Sequence, residues 1–525
     1  MMQRLTMMLC LLAILLAAPL SGRAETPAFT FADVQAKAQD LARAPYADTS
    51  SAPQSLANIS YDDWAAIRYR SEKALWADEG LPFTVQFFHP GLHYDRVVRV
   101  NIIGEENVAP VRFSPSLFQY GSEAAARQIT ASGAADFAGF RIHYALNRPD
   151  YKDELAVFLG ASYFRALAKD THYGIYGRGL ALDTACGEGE EFPYFKEFWI
   201  MKPAADAKDI TVYALMDSPS LAGAYRFVIT PGAPTVMDVK CALFPREGGR
   251  TFHKTGLAAL TSMFFYGEET NGRPGDFRPE VHNSDGLLFT DGTDGWTWSP
   301  LSNPRRLSVN AFPLDNPRGF GLMQRDSSFS SYQDVNAHYE QRPSLWVQPE
   351  GDWGPGRLEL IEIPTSDEWH RNIVAFWTPA EPSKASVQMY GWKMFWMHPT
   401  ATPHSAGRVV STRQSFSGDT MTFHVDFAGG QLSELPEDTG IASVVETPET
   451  VALLEKKLMR NPAIDGWRLE FKVRLPKEEG VIKSLMSARK GPLNLRFRAQ
   501  LKKGENLPGA LTETWLYDWQ YQPQQ

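Results

Sequence analysis

Residues 466–475 read Gly-Trp-Arg-Leu-Glu-Phe-Lys-Val-Arg-Leu, and residues 493–501 read Leu-Asn-Leu-Arg-Phe-Arg-Ala-Gln-Leu. In both stretches an apolar residue stands at every second place and a charged or amide residue between. Successive side chains of an extended chain point to opposite faces, so this pattern predicts strands with one face in a core and the other in water. Phe83, Val85 and Phe87, alternating with Thr84 and Gln86, repeat it near the start, and Ile373–Trp377 reads as a further strand. Turn dipeptides punctuate the chain at Asn271-Gly272, Asp285-Gly286, Asp291-Gly292, Asp294-Gly295 and Asp465-Gly466. Helical spacing appears mainly early. Val34, Ala38 and Leu41 fall on one face of a helix over Phe31–Arg43, and Ser60 is placed to cap a short helix running through Ile67. The expected class is all-β.

The chain has 525 residues, 52 Lys+Arg against 61 Asp+Glu, and a net charge of −9. Without a basic block it is a poor candidate for nucleic acid or for an anionic membrane surface, both of which need clustered cations. Its 14 Trp, 19 Tyr and 31 Phe supply rings that either fill a β-rich core or stack on sugar faces. Residues 1–24 read as a signal peptide: Arg4 precedes an apolar run from Leu5 to Leu20, and Gly22 and Ala24 offer small residues before a cut at Glu25. Later stretches fall short of the roughly 20 apolar residues a membrane span needs, so a soluble, exported chain is expected. Cys186 and Cys241 would form one disulfide there or remain two separate thiols. With no CxxC or HExxH cluster, neither a metal nor a cofactor is expected. His89 and His93 flank Pro90-Gly91, which reads as a turn.

Prolines at 379 and 382 mark a boundary. The organisation expected is a large β-sandwich over 25–380 and a smaller immunoglobulin-like sandwich over 381–525, whose short strands have the spacing of that fold.

Rings, carboxylates and Gly/Pro turns concentrate between about 262 and 377. A carbohydrate site needs flat rings for sugar faces and Asp, Asn, Arg or His for hydroxyls. Cleavage needs in addition two carboxyls, one to protonate the leaving oxygen and one to act on water or the sugar. Asp285, Asp367 and Glu368 are the candidate catalytic carboxylates. Turn-capping is the competing role for Asp285 and Asp367. The candidate sugar contacts are Arg178, Tyr194, His282, Asn283, Tyr332, Arg342, Trp346 and Trp353, with core packing the competing role for each ring. Gly174, Gly177 and Gly179 lack the lysine and the following helix of a phosphate loop, and no G-x-S-x-G elbow precedes a helix.

Longer blocks carry a resemblance. Leu159-Gly160-Ala161-Ser162-Tyr163-Phe164-Arg165, Gly179-Leu180-Ala181-Leu182-Asp183-Thr184, Phe195-Lys196-Glu197-Phe198-Trp199-Ile200, Asn316-Pro317-Arg318-Gly319-Phe320-Gly321, Glu362-Ile363-Pro364-Thr365 and Leu511-Thr512-Glu513-Thr514-Trp515 occur in order across nearly all of the mature chain. Together they resemble the osmoregulated periplasmic glucan biosynthesis protein G/D family. The resemblance implies a galactose-mutarotase-like sandwich followed by an immunoglobulin-like domain. It also implies a periplasmic role in making glucans with a β-1,2-linked glucose backbone, with that glucan and a membrane glucosyltransferase as partners. Some members resemble inverting β-1,2-glucanases whose base is second in an H-D-[ST]-x-G block and whose acid directly precedes the Asn of a D-N-I-V block. Here those blocks read His282-Asn283-Ser284-Asp285-Gly286 and Arg371-Asn372-Ile373-Val374. Asn283 and Arg371 therefore stand where carboxyls are expected. Either Asp285, Asp367 or Glu368 has taken over, or glucan is bound without being cut.

Overall fold

The computed structural model describes residues 29–48, 51–131, 133, 136–270, 273–292, 295–381, 387–436, 440–475, 494–504 and 509–520. The alternating stretches form strands. Gly466–Arg474 buries Trp467, Leu469, Phe471 and Val473 while its basic and acidic residues face outward, and Asn494–Lys503 repeats the arrangement. Asp465, in the left-handed conformation with φ 47°, makes the predicted turn before the first of them. The expected signal peptide, the Asn271-Gly272 turn, Asp294 and Pro382 lie outside the described residues.

Two large sheets face each other. Among the described residues one has ten strands, running from Phe83–Phe88 through Gly139–Arg148, Tyr151–Leu159, Tyr163–Ala166, Tyr176–Arg178 and Thr255–Ser262 to Ile373–Pro379, Gly356–Glu362 and Ser308–Leu314, with Ala181–Leu182 as a side branch. The other has fourteen and is centred on Ser344–Glu350, Gln388–Met397, Thr235–Pro245 and Leu221–Thr230. Aromatic side chains fill the space between them. Phe158 meets Phe140, Phe164, Phe198 and Phe227 at centroid separations of 5.1, 5.7, 5.6 and 5.2 Å, mixing stacked and edge-on contacts. The helix Phe31–Arg43 lies on the outer face of the fourteen-stranded sheet, burying Val34, Ala38 and Ala42 against Trp199, Tyr213 and Phe244. Arg246 caps it by donating to the carbonyl of Leu41, which also accepts from the C-cap Ala44 N–H, and to that of Ala44.

A third, four-stranded sheet (Arg408–Ser417, Thr420–Ala428, Gly466–Arg474 and Ala452–Asn461) belongs to the C-terminal part. It packs on Ile441–Glu446, Asn494–Lys503 and Thr514–Gln520 through Phe423, Phe471, Phe497, Trp515 and Tyr517. These last three strands extend the fourteen-stranded sheet, because Thr514–Gln520 runs parallel to Trp296–Pro300 through Thr297↔Thr514 and Trp298↔Trp515. The strand Gln388–Met397, which a division at 380 assigns to the C-terminal unit, lies between Thr235–Pro245 and Ser344–Glu350 of the large sheet.

One reading from local sequence comes out differently, and one left open is decided. Asp285-Gly286 is not a hairpin turn. Gly286 opens a strand, and a Cβ there would lie 2.3 Å from the Trp298 ring, so glycine is needed for close approach. Cys186 and Cys241 are both free. No helix among the described residues is long and apolar enough to cross a membrane.

The joint between the two parts is a buried ion pair. Arg325 presents Nη1 and Nη2 to Glu513 at 2.8 and 2.6 Å, donates to the Val409 carbonyl, and lies 3.5 Å from the Trp298 ring centroid. Burial alone would raise the Glu513 carboxyl, but the Arg325 charge and the bonds from His404 and Arg325 hold it at about 2. Removing Arg325 leaves that carboxylate buried with only His404 and the Val409 N–H beside it. We expect Arg325→Ala to lower the unfolding free energy by about 3–5 kcal/mol in denaturant titrations, and Arg325→Lys, which keeps the charge but loses the fork, to cost less.

Candidate functional site

The strands Tyr163–Ala166 and Tyr176–Arg178 are short neighbours, paired through Tyr163↔Arg178 and Phe164↔Gly177. Alternation sends Phe164 to the core, and Gly177 must be small because a Cβ there would lie 2.6 Å from the Phe164 ring. It sends Tyr163, Arg165, Tyr176 and Arg178 to the opposite, open face. The glycines once comparable to a phosphate loop are thus packing residues. A Cβ on Gly179 would meet Met216 and Phe195 at 2.5 and 2.9 Å.

On that face guanidinium groups and tyrosine rings interleave. The Arg165 guanidinium sits 3.8 Å from the Tyr173 centroid and 5.4 Å from that of Tyr176, donates to the Tyr176 hydroxyl at 2.7 Å, and pairs with Glu154 at 3.3 Å. Glu154 also receives Arg141 at 2.8 Å. Arg178 lies between Tyr163 and Phe192, 5.6 and 4.7 Å from their centroids, and pairs with Glu190. Its Nε and Nη2 are buried and meet no protein acceptor.

The centre of the site is the backbone of Tyr173 and Gly174. Arg342 donates to the Tyr173 carbonyl at 2.6 Å, while Asn283 Nδ2 and Arg371 Nη1 both donate to the Gly174 carbonyl, at 2.9 and 3.1 Å. Side chains separated by 88 positions in sequence thereby share one acceptor. Arg371 also lies over the Tyr176 ring at 3.8 Å. Gly174 is required here, since a Cβ would come within 2.9 Å of the Arg342 stem. The Asn283 Oδ1 is buried without a partner.

The three candidate carboxylates do not meet. Asp367 caps a surface turn, accepting from the Trp369 N–H and His370 at 2.9 and 2.8 Å. Glu368 pairs with Arg278, which also holds Asp276 and Asp334 and so ties three loops together. Asp285 belongs to an interior acid cluster. Ligand atoms of Glu268, Asp285 and Asp326, and of Glu280, His282 and Asp326, lie within 4.8 Å of one another. These are the residues that would hold a cation, and nothing beyond their acidity points to one. The cluster borders a cavity of about 510 Å³ lined also by Ser411, Arg413, Asp426 and Arg468 of the C-terminal part.

Of the candidate sugar contacts, Asn283 and Arg342 bond to the Tyr173–Gly174 backbone, while Arg178 lies apart from it among Tyr163, Phe192 and Glu190. His282 is fully buried, with Nε2 3.0 Å from Glu280 and Nδ1 3.0 Å from Gln324. Tyr332 is buried between the Asp326 carbonyl and Gln324. Trp346 packs on Trp296, and Trp353 on Tyr390 and Trp392, inside the two cores. Tyr194 is buried beneath the Arg96 guanidinium, 4.4 Å from its ring centroid. None of these four rings offers a free face. His89 is buried and His93 exposed, on either side of a turn closed by Gly91 and Tyr94. Sequence reasoning passed over Tyr163, Arg165, Tyr173 and Tyr176. The available signal was the density of Tyr and Arg in 163–178, at the two-residue spacing of a strand face.

A family model described as "Periplasmic glucan biosynthesis protein, MdoG" matches residues 29–519. The chain is 42% identical to "Glucans biosynthesis protein G" of Ralstonia nicotianae, over 93% of this chain and 96% of the relative. It is 42% identical to the protein of that name from Rhodopseudomonas palustris (94% and 93% covered) and 40% identical to that of Pseudomonas paraeruginosa (93% and 92%). Among solved structures, a Paenibacillus xanthan lyase aligns over 77% of this chain and 36% of its own at 8% identity, with a TM-score of 0.15, too low to support any reading.

The acid cluster has a pH signature. Burial, with Asp326 and Glu280 nearby, pushes Glu268 up to about 8, and burial with Glu268 beside it does the same to Glu269. Burial lowers His282, but its bond to Glu280 and the Asp285 charge override this and raise it to about 9. All three folded values exceed the unfolded ones, so the folded chain binds more protons than the unfolded between about pH 4.5 and 9 and loses stability as pH rises through that window. We expect the thermal unfolding midpoint to fall by several degrees from pH 5 to pH 9, and Glu268→Gln to shrink the fall.

Proposed function

We infer function from kinship and from the site: this chain belongs to the periplasmic glucan biosynthesis protein family, matched over residues 29–519, and it acts in osmoregulated periplasmic glucan biosynthesis. In our reading it binds the β-1,2-linked glucan backbone on the Tyr163–Arg178 face and does not hydrolyse it. The observation that carries this is the sharing of the Gly174 carbonyl by Asn283 and Arg371. The two positions at which the family pattern expects a base and an acid face one another, and both hold hydrogen-bond donors. An amide has no proton-accepting role at neutral pH, and a guanidinium does not give its proton up. Asp285, Asp367 and Glu368 stand in separate surroundings, so none of them completes a pair across this site.

Several features support the binding role. Tyr163 and Tyr176 are half-buried on the sheet face. Phe277, 78% exposed, and Trp369, 85% exposed, stand on the loops that Arg278 ties together. The large unit, a sandwich of the galactose-mutarotase type in this reading, presents the face. The smaller, immunoglobulin-like unit begins after the strand Gln388–Met397, because that strand is integral to the large sheet. Residues 1–24 export the chain as a cleaved signal peptide, and the membrane glucosyltransferase of glucan synthesis is the partner that hands over the growing chain.

Incubation of the purified protein with linear β-1,2-glucan between pH 4 and 9 is expected to release no reducing ends. Calorimetry should detect binding that Tyr176→Ala weakens at least tenfold. Gly174→Ala, by pushing Arg342 away, should weaken binding while leaving the far-ultraviolet circular dichroism unchanged. Appearance of reducing ends would overturn the non-hydrolytic reading.

A further inference from the structure

Half-buried arginines in this protein are generally neutralised by a carboxylate. Arg141 and Arg165 share Glu154, Arg178 has Glu190, Arg226 has Asp238, Arg246 has Asp217, Arg278 has three acids, Arg325 has Glu513 and Arg468 has Asp426. That is the ordinary outcome, because a desolvated cation without a counter-charge is costly. Arg342 departs from it, as does Arg408 at the joint, and the more exposed Arg371 beside Arg342 likewise has no carboxylate partner among the described residues. Arg342 spends its donors on the carbonyls of Ala337 and Tyr173. Arg371 meets the Gly174 carbonyl and the Tyr176 ring. Among the described residues, no carboxylate lies within ion-pair distance of either.

These two cations are also neighbours. Both donate to consecutive carbonyls, those of Tyr173 and Gly174, and Arg165 stands on the other side of Tyr176 with its own charge already shared with Glu154. Burial, and for Arg342 the charge of Arg371, hold both guanidiniums below the usual arginine value. The Arg371 guanidinium is thus packed about by protein while part of its side chain still reaches solvent, more of it than of Arg342. The result is a spot beside the Tyr176 ring where the more accessible guanidinium of Arg371 has a second positive charge, that of Arg342, next to it. A neutral sugar chain makes no use of an uncompensated charge. A carboxylate or a phosphate ester does, because a guanidinium fork binds either through two parallel, charge-assisted hydrogen bonds.

We propose that Arg371, backed by Arg342, forms an anion subsite that takes a carboxylate or phosphate group. The inference rests on the glucan-binding reading insofar as that group is carried on the sugar chain. The same chemistry is also supplied by free inorganic phosphate, and the test separates the two sources. The subsite gives the replacement at position 371 a positive role, selecting acidic over neutral glucan chains at the point where two tyrosine faces meet the backbone of Gly174.

Calorimetry with the full mature chain would compare three probes in 20 mM salt: a neutral linear β-1,2-gluco-oligosaccharide, the same oligosaccharide carrying one O-phosphate, and inorganic phosphate. The expected result is a preference of tenfold or more for the phosphorylated oligosaccharide over the neutral one. It should shrink severalfold in 0.5 M salt, fall to about one in Arg371→Gln, and be partly kept in Arg371→Lys. Equal affinity of the wild-type chain for the two oligosaccharides would overturn the subsite, as would a preference that survives in Arg371→Gln. If neither oligosaccharide binds but inorganic phosphate does, with dependence on Arg371, the subsite stands and the glucan-binding reading falls. If none of the three binds, both fall.

Discussion

Glu513 is fully buried, and the rest of the molecule is arranged so that this carboxylate is never alone. Arg325 reaches it with both ends of its fork, His404 lies 2.7 Å away, and the backbone N–H of Val409 donates to it. Those groups come from the large sandwich, from the connection between the two parts and from the first C-terminal strand, so neutralising one charge fixes the relative placement of three segments. The fixation propagates. Gln324, next to Arg325, holds His282 through Nδ1 and through its carbonyl, and His282 is adjacent to Asn283, which grips Gly174. A continuous path of bonded groups runs from the joint to the site. Position 283 is thereby linked to the joint through bonded and sequence-adjacent neighbours.

The acid cluster lies along the same path and shows what the joint has to overcome. Burial raises Asp285 to about 7 and Asp326 well above the usual carboxylate range, and each of the two lies close to Glu280. Like charges at such spacing in a poorly solvated interior cannot all ionise. Protons and His282 therefore carry the compensation. Glu268 contributes directly to the contact between the parts, accepting from the Thr412 N–H at 2.6 Å. A cluster of this kind gains stability from being protonated, whereas Glu513 gains it from staying ionised. The two respond oppositely to acid: the Glu513 contribution is present above about pH 4.5 and is lost as pH falls towards 2.

Much of the fold was legible because strand alternation is a local property. Gly466–Arg474 and Phe83–Phe88 could be read residue by residue, and the helix Phe31–Arg43 announced itself through Val34 and Ala38. The site was less legible, for physical reasons that particular residues make plain. A backbone carbonyl such as that of Gly174 leaves no trace in sequence, and its two donors come from positions 283 and 371. Trp346, Trp353, Tyr194 and Tyr332 have the right chemistry for sugar contacts but are enclosed by neighbours no local pattern reveals. Gly286 resembled a turn because Asp-Gly usually is one, and only the Trp298 ring against it shows otherwise. Ion-pair status was equally hidden, since Glu154 serves Arg141 and Arg165 while, among the described residues, no acid serves Arg371.

The identities at 283 and 371 make sense only as a pair. A carbonyl oxygen is an acceptor, and two donors converging on it hold the Tyr173–Gly174 segment in place. An aspartate at either position would set a carboxylate against that same oxygen. With one donor gone, the segment would lose a bond and gain a repulsion, and Arg342 would keep only its grip on the Tyr173 carbonyl. With both gone, water or a sugar hydroxyl would have to supply the missing protons between three oxygens. Such an arrangement suits a site that handles a proton and tolerates a mobile floor. The amide and guanidinium found here do the reverse, fixing the floor and adding a positive charge beside it. The chemistry that this geometry favours is the holding of a ligand, with the charge of that ligand as the property most directly sensed.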